Sequence, residues 1–167
     1  GNPYRMIGIN GDITEGKLAA QQLQIEKEKA EQSETFLTAI IENQPGLIWL
    51  KDVNGRFLMV NNLVIENNPD LSSEDQLIGK TDSEISPPEL ANKYRSDDLQ
   101  VMETLSPLFK EEPVLVNGET KLFETYKAPY LGDENQLLGT FGFSRDITER
   151  KQAENNLLES EARFRSV

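Results

Sequence analysis

Gly79-Lys80-Thr81 carries the closing letters of a phosphate-binding loop, in which backbone amides wrap a phosphate and the lysine meets its charge. Such a loop also needs a glycine five residues before the Gly-Lys pair. Glu74 stands there instead, so the motif is rejected. Asp97-Asp98 beside Arg95 offers two carboxylates of the kind used in acid–base or metal chemistry. Adjacent helical residues diverge and no other ligand is suggested nearby, so the pair reads as a solvated face. Asp52-Val53-Asn54-Gly55 opens like a calcium loop, but the later ligand spacing and the terminal Glu are missing. It reads as a hairpin turn, and no metal site is expected.

Small-molecule cavities use aromatic walls with a few polar groups. On that pattern the ligand-pocket candidates are Trp49, Phe141 and Phe143, together with Met59, Asn61 and Tyr94. The plainer reading of the aromatics is core, and the two readings overlap wherever a cavity lies inside the core. Asn61 and Asn62 follow a predicted strand, where capping of the next helix is the alternative to ligand contact.

Composition removes whole classes of function. The 167 residues hold 17 Lys+Arg against 29 Asp+Glu, a net charge of −12, with no His and no Cys. Such an acidic balance repels phosphate backbones and anionic headgroups, so neither nucleic acid nor a membrane surface is expected as a partner. Without Cys or His there is no disulfide, zinc finger, iron–sulfur cluster, imidazole base or thiol nucleophile, and an enzyme is not expected. Apolar runs are short and none follows a basic segment, so neither a membrane span nor a signal peptide is expected, and the location expected is cytoplasmic.

The elements that must position these residues follow from pattern. Residues 16–44 read as helix, since Lys17 to Asn43 contains no Gly or Pro. Leu23, Ala30 and Leu37 share one heptad position, and Ala19, Glu26, Ser33 and Ile40 the other, a seam with polar interruptions. Leu47 to Lys51 and Phe57 to Val60 read as strands joined at Asn54-Gly55 by a type I′ turn. Four successive apolar residues in the first strand imply cover on both faces. Thr81 to Glu84 and Ser86 to Glu89 have capping-box spacing, the second with Pro at the first helical position. A helix to about Leu105 follows, with Leu90, Tyr94, Val101 and Leu105 on one side. Leu108 to Val116 and Glu119 to Tyr130 pair around Asn117-Gly118. Leu137 to Ser144 follows, with Gly139, Phe141 and Phe143 on one face.

The two ends of the chain repeat each other. Gly8, Asp12, Ile13, Thr14, Glu15 and Lys17 recur 134 residues later as Gly142, Asp146, Ile147, Thr148, Glu149 and Lys151. A second echo joins Ser33-Glu34 to Ser160-Glu161 at an offset of 127. Repetition on this scale means an array of domains. The Asp-Ile-Thr-Glu phrase supplies a helix cap at Asp146, reciprocated by Glu149, with Thr148 as a second oxygen. It reads as a strand-to-helix joint for signal coupling through Asp12, Thr14, Asp146, Thr148 and Glu149. The offsets differ by seven residues, one heptad, which preserves the face that a linker helix presents. Leu23, Ala30, Leu37 and Ile40 on the first linker, and Ala153, Leu157 and Phe164 on the second, are therefore the expected dimer contacts.

From Leu50-Lys51-Asp52-Val53-Asn54-Gly55-Arg56-Phe57-Leu58-Met59-Val60-Asn61, through Gly79-Lys80-Thr81-Asp82 and Pro88-Glu89-Leu90-Ala91, to the Asp-Ile-Thr joint, residues 34–152 resemble a PAS domain. The resemblance implies an α+β PAS fold: a five-stranded antiparallel sheet in the order 2-1-5-4-3, helices over one face, and long linker helices flanking it. It implies the tail of a preceding PAS domain over 1–15, a linker helix over 16–45, the core over 46–148, and the exit helix with the start of a following domain over 149–167. The function implied is a sensory and dimerisation module passing a ligand or conformational signal to a histidine kinase. A diguanylate cyclase or phosphodiesterase module, or a ligand-free interaction spacer, is the alternative. Partners implied are a second copy through the linker helices and neighbouring domains of the same chain. Missing His and Cys exclude His- or Cys-ligated haem and cysteinyl-flavin photochemistry, leaving an unknown small molecule or no cofactor.

Overall fold

The computed structural model describes residues 10–116 and 119–165. In chain order it contains α1 (Asn10–Glu42), β1 (Leu47–Asp52), β2 (Phe57–Val60), α2 (Asn62–Glu66), α3 (Asp82–Ile85) and α4 (Pro88–Thr104). Then come β3 (Leu108–Val116), β4 (Glu119–Leu131), β5 (Leu137–Asp146) and α5 (Thr148–Arg165). The strands form one antiparallel sheet in the order β2-β1-β5-β4-β3, the arrangement that the resemblance implied. Residues 10–41 belong to a unit separate from the sheet and its helices.

α1 starts six residues earlier than the composition predicts, at Asn10 rather than residue 16. Asp12 and Thr14 therefore lie within helix, and the first copy of the phrase does not repeat the strand-to-helix break found at Asp146. Gly8, in the same phrase, lies outside the described residues, as does the Asn117-Gly118 turn. Leu23, Leu37 and Ile40 are half or more exposed, and Ala30 is exposed with them.

The first hairpin departs from a type I′ turn. Only Gly55, at φ 82°, enters the left-handed region, and its N–H donates to the Asp52 carbonyl at 2.9 Å. The Asp52 carboxylate accepts the N–H groups of Asn54 and Arg56 at 2.9 and 2.8 Å, so Asp52 organises the turn. At α4 the N-cap is Pro87 and not Ser86, which puts Pro88 at the first helical position and leaves the second capping box unformed. Thr81 and Glu84 do make their box.

The inward face of α4 is Ala91, Asp98 and Val101, with Tyr94 partly buried between them, whereas Leu90 and Leu105 are exposed. The apolar pattern misplaces this face because one inward position belongs to an acid. Apolar packing is concentrated elsewhere: Phe57, Val60 and Leu77 are buried against Trp49, Val64, Ile65, Leu71 and Ile85.

Strand parity decides what faces the helices. Trp49 lies opposite Gly142 in the β1–β5 ladder, and Gly142 lies opposite Lys127 in the β5–β4 ladder. The indole crosses directly over Gly142, where a Cβ would stand 2.0 Å from Trp49 Cε2. Only glycine allows that approach. Gly142→Ala is expected to lower stability by about 1–3 kcal/mol, the usual range for an overpacked core. Urea unfolding followed by the emission of the single tryptophan measures it, and an unchanged midpoint would contradict this packing.

Candidate functional site

A cavity of about 240 Å³ lies on the helix-covered side of the sheet. Leu47, Trp49 and Lys51 of β1 reach it as alternate residues on one face, as do Phe123, Thr125 and Lys127 of β4 and Glu112, Val114 and Val116 of β3. Asp82 and Ile85 of α3, Tyr94 of α4 and Val64 of α2 close the other side.

Of the pocket candidates read from sequence, Trp49 and Tyr94 line this cavity, and Met59, Asn61, Phe141 and Phe143 do not. Phe143 pairs with Ile48, and Phe141 and Met59 both pair with Leu50, so these three occupy the opposite face of the sheet. Ser144, next to Phe143, takes the cavity side. Asn61 is fully buried but works on the backbone. Its Oδ1 accepts the Ile48 N–H at 3.0 Å and its Nδ2 donates to the Gly46 carbonyl at 2.8 Å. It holds the entry of β1, and its side chain caps no helix.

The polar wall is an unbroken row of alternating charges. Asp82 accepts from Lys51 Nζ at 2.5 Å, and Lys51 reaches Asp98 at 3.2 Å. Asp98 takes Lys127 at 2.6 Å through its other oxygen, and Lys127 lies 3.8 Å from Asp97. Asp97 pairs with Lys110, Lys110 lies 3.4 Å from Glu112, and Glu112 pairs with Lys93. Lys51, Lys127 and Asp98 are each no more than 2% exposed. The solvated face expected for Asp97-Asp98 is thus replaced by a buried junction. Parity would have put Lys51 on the Trp49 face and Lys127 on the Phe123 face, but a charged residue in a strand reads as solvent-facing. Lys127 also donates to the Tyr94 carbonyl at 3.1 Å, and Lys51 lies 4.6 Å from the centre of the Phe57 ring.

Two groups on the wall have shifted pKa values. Burial raises the Tyr94 phenol above its ordinary value, reinforced by the Glu112 and Asp82 carboxylates. Burial also pushes Glu112 up, but the hydrogen bond from Lys93 and the charge of Lys110 outweigh it and leave Glu112 below its ordinary 4.5.

The cavity shares its strands with the exit helix. Ser144 lines the cavity, and two residues on Asp146 Oδ1 accepts the Thr148 N–H at 2.9 Å. Thr148 Oγ1 accepts the Leu122 N–H at 2.9 Å, and the Ile147 N–H donates to the Leu122 carbonyl at 2.8 Å. Leu122 is the neighbour of cavity-lining Phe123. Asp146 lies 3.2 Å from Lys121. Burial raises its pKa, but the Thr148 hydrogen bonds and Lys121 prevail and hold it low. This turn stands in place of the predicted capping box with Glu149, which occupies the first helical turn, where the helix dipole favours an acid. Ile147 is 2% exposed, which fixes the start of α5 to the sheet. Farther along α5, Ala153, Leu157 and Phe164 are exposed.

Among the described residues Asp98 is the only acid that contacts both Lys51 and Lys127, so Asp98→Ala is expected to cost about 3–5 kcal/mol by leaving buried ammonium groups short of their partner. Denaturant melts read this directly. Glu112 has a folded pKa below its unfolded value. Its contribution is therefore present above about pH 4.5 and lost as the pH falls through the lower folded value. Glu112→Gln should accordingly lower the melting temperature near neutral pH and converge on the unsubstituted protein in acid. A gap that stays constant or widens in acid would contradict that sign.

Comparison with known proteins agrees with this geometry. The family model for the PAS fold matches residues 41–152. The aerobic respiration control sensor protein ArcB of Escherichia coli is 28% identical over 128 residues, covering 76% of this chain and 16% of ArcB. The virulence sensor protein BvgS of Bordetella pertussis is 28% identical over 121 residues, covering 70% of this chain and 10% of BvgS. The chain thus spans a small part of these relatives. The solved PAS domain of B. pertussis BvgS has the same fold, with a TM-score of 0.59 at 24% identity, covering 80% of this chain and 98% of that one. The matched region covers α2 to α4 and all five strands, and the chain belongs to the PAS fold family.

Proposed function

We propose that this chain is a sensory and dimerisation module of a larger signalling protein, passing the state of its cavity through the exit helix to a histidine kinase. The observation that carries this reading is the shared strand: Ser144 faces the cavity and Asp146 organises the start of α5. A side chain displaced at the cavity would move the backbone that sets the angle of the helix. The sensor proteins ArcB and BvgS support a sensory role, and a further relative, the methanogenesis regulatory histidine kinase FilI, supports a kinase as the effector.

The linker helices supply the output and the partner. Leu23, Leu37, Leu157 and Phe164 are between 57% and 83% exposed, a costly arrangement for large apolar groups unless a second copy covers them. With the two repeat offsets differing by one heptad, the two linkers would present the same face to that copy. Residues 1–15 then continue a preceding domain and residues 149–167 lead to a following one, in an array on the cytoplasmic side. Among the described residues no helix is long and apolar enough to cross a membrane.

Phase gives the test. In the full-length parent, inserting two residues after Gln24 rotates everything beyond by about 200° of helix, whereas seven residues restore the face. Stimulus-dependent autophosphorylation should be lost with the first insertion and kept with the second. Equal behaviour of the two would overturn transmission through phased helices.

A further inference from the structure

Two lysines and two acids line the cavity, Lys51 and Lys127 against Asp82 and Glu112, and each already has a partner of opposite sign. Lys51 lies between Asp82 and Asp98, Lys127 holds Asp98, and Glu112 meets Lys93 and Lys110. The wall is therefore neutral as a whole. A charged ligand would find no spare counter-ion, and recruiting one would leave its present partner buried and unpaired, which costs more than the new pair returns.

One donor on the wall is left over. The indole N–H of Trp49, a residue that lines the cavity, is buried beside Gly142 and has no acceptor among the described residues. A buried N–H without a partner is a standing penalty that an incoming acceptor relieves. Tyr94, also on the wall, has its phenol pKa raised by burial and then by Glu112 and Asp82, so it keeps its O–H to donate. The volume, about 240 Å³, is below the range for drug-sized ligands and suits one ring with a short substituent.

We propose that the cavity takes a small uncharged molecule, a single ring bearing a carbonyl or ring-nitrogen acceptor, seated by a hydrogen bond from Trp49 Nε1. Its body packs on Leu47, Val114 and Phe123, and the charge row sets selectivity by offering an ion nothing unpaired. This rests on the sensory reading above and specifies what is sensed.

The chain has a single tryptophan, so one indole N–H resonance reports the donor. Benzamide, benzoate and benzamidinium share one size and shape and differ in charge, and each can be titrated into the ¹⁵N-labelled protein. Benzamide is expected to shift the indole resonance saturably, and the two ions to bind roughly tenfold more weakly or worse. Trp49→Phe should weaken benzamide by about tenfold, measured calorimetrically. Should that variant fail to fold, the indole titration of the unsubstituted protein decides alone. Either ion binding as well as benzamide, or benzamide binding without moving the indole proton, would overturn the assignment and leave the sensory reading intact. Silence from all three probes also overturns it, while the phase insertions judge the sensory reading independently.

Discussion

Asp98 between Lys51 and Lys127 is the constraint on which the rest of the domain depends. β1 and β4 are not neighbours; β5 runs between them. One carboxylate on α4 therefore spans three strands from above, using one oxygen for each lysine. That contact sets where α4 lies over the sheet and hence where the cavity is. Replacing such a junction with hydrocarbon of equal volume is often neutral or stabilising, so net stability does not explain it. Geometry does, because an apolar α4 could slide along an apolar sheet, whereas the alternating row from Asp82 to Lys93 matches in one register only.

The row also explains why so much of the fold was legible in the sequence and so little of the site. Hairpins and strand limits depend on turn chemistry and period-two alternation, which a sequence displays, whereas the sheet order follows from the resemblance to PAS domains. The site depends on which charged residues turn inward. Asp98 falls seven residues after Ala91 and three before Val101, a spacing that marks an inward face only once one accepts a buried acid there. Apolar patterning chose Leu90 and Leu105 instead, and both are exposed. Likewise the aromatic rings of Phe141 and Phe143 suggest a pocket, although their register with Leu50 and Ile48 turns them from the cavity. The place of Asn61 between a strand and a helix suggests ligand contact or capping, yet both ends of its amide are used by the backbone of residues 46 and 48.

What faces the cavity from β5 is small: Ser144 lines it, Gly142 lies under the indole, and Thr140 lies opposite Lys51. The bulky residues of the same strand point the other way. The cavity shares its face with the core cluster around Phe57 and Trp49, and its volume follows from small inward side chains on β5 as much as from any special lining. The same strand ends in the hydrogen-bonded turn that starts α5. Because Ile147 is buried and Thr148 is tied to Leu122, the start of the helix is held to β4 as well as to β5. Those strands carry Ser144, Thr125, Phe123 and Lys127 into the cavity. Thr125 and Ser144 hydrogen-bond to each other at 2.8 Å, which couples the two strands on the cavity side as the Leu122 bonds do at the joint. Cavity lining and helix start are thus built on the same two strands, with no other element between them.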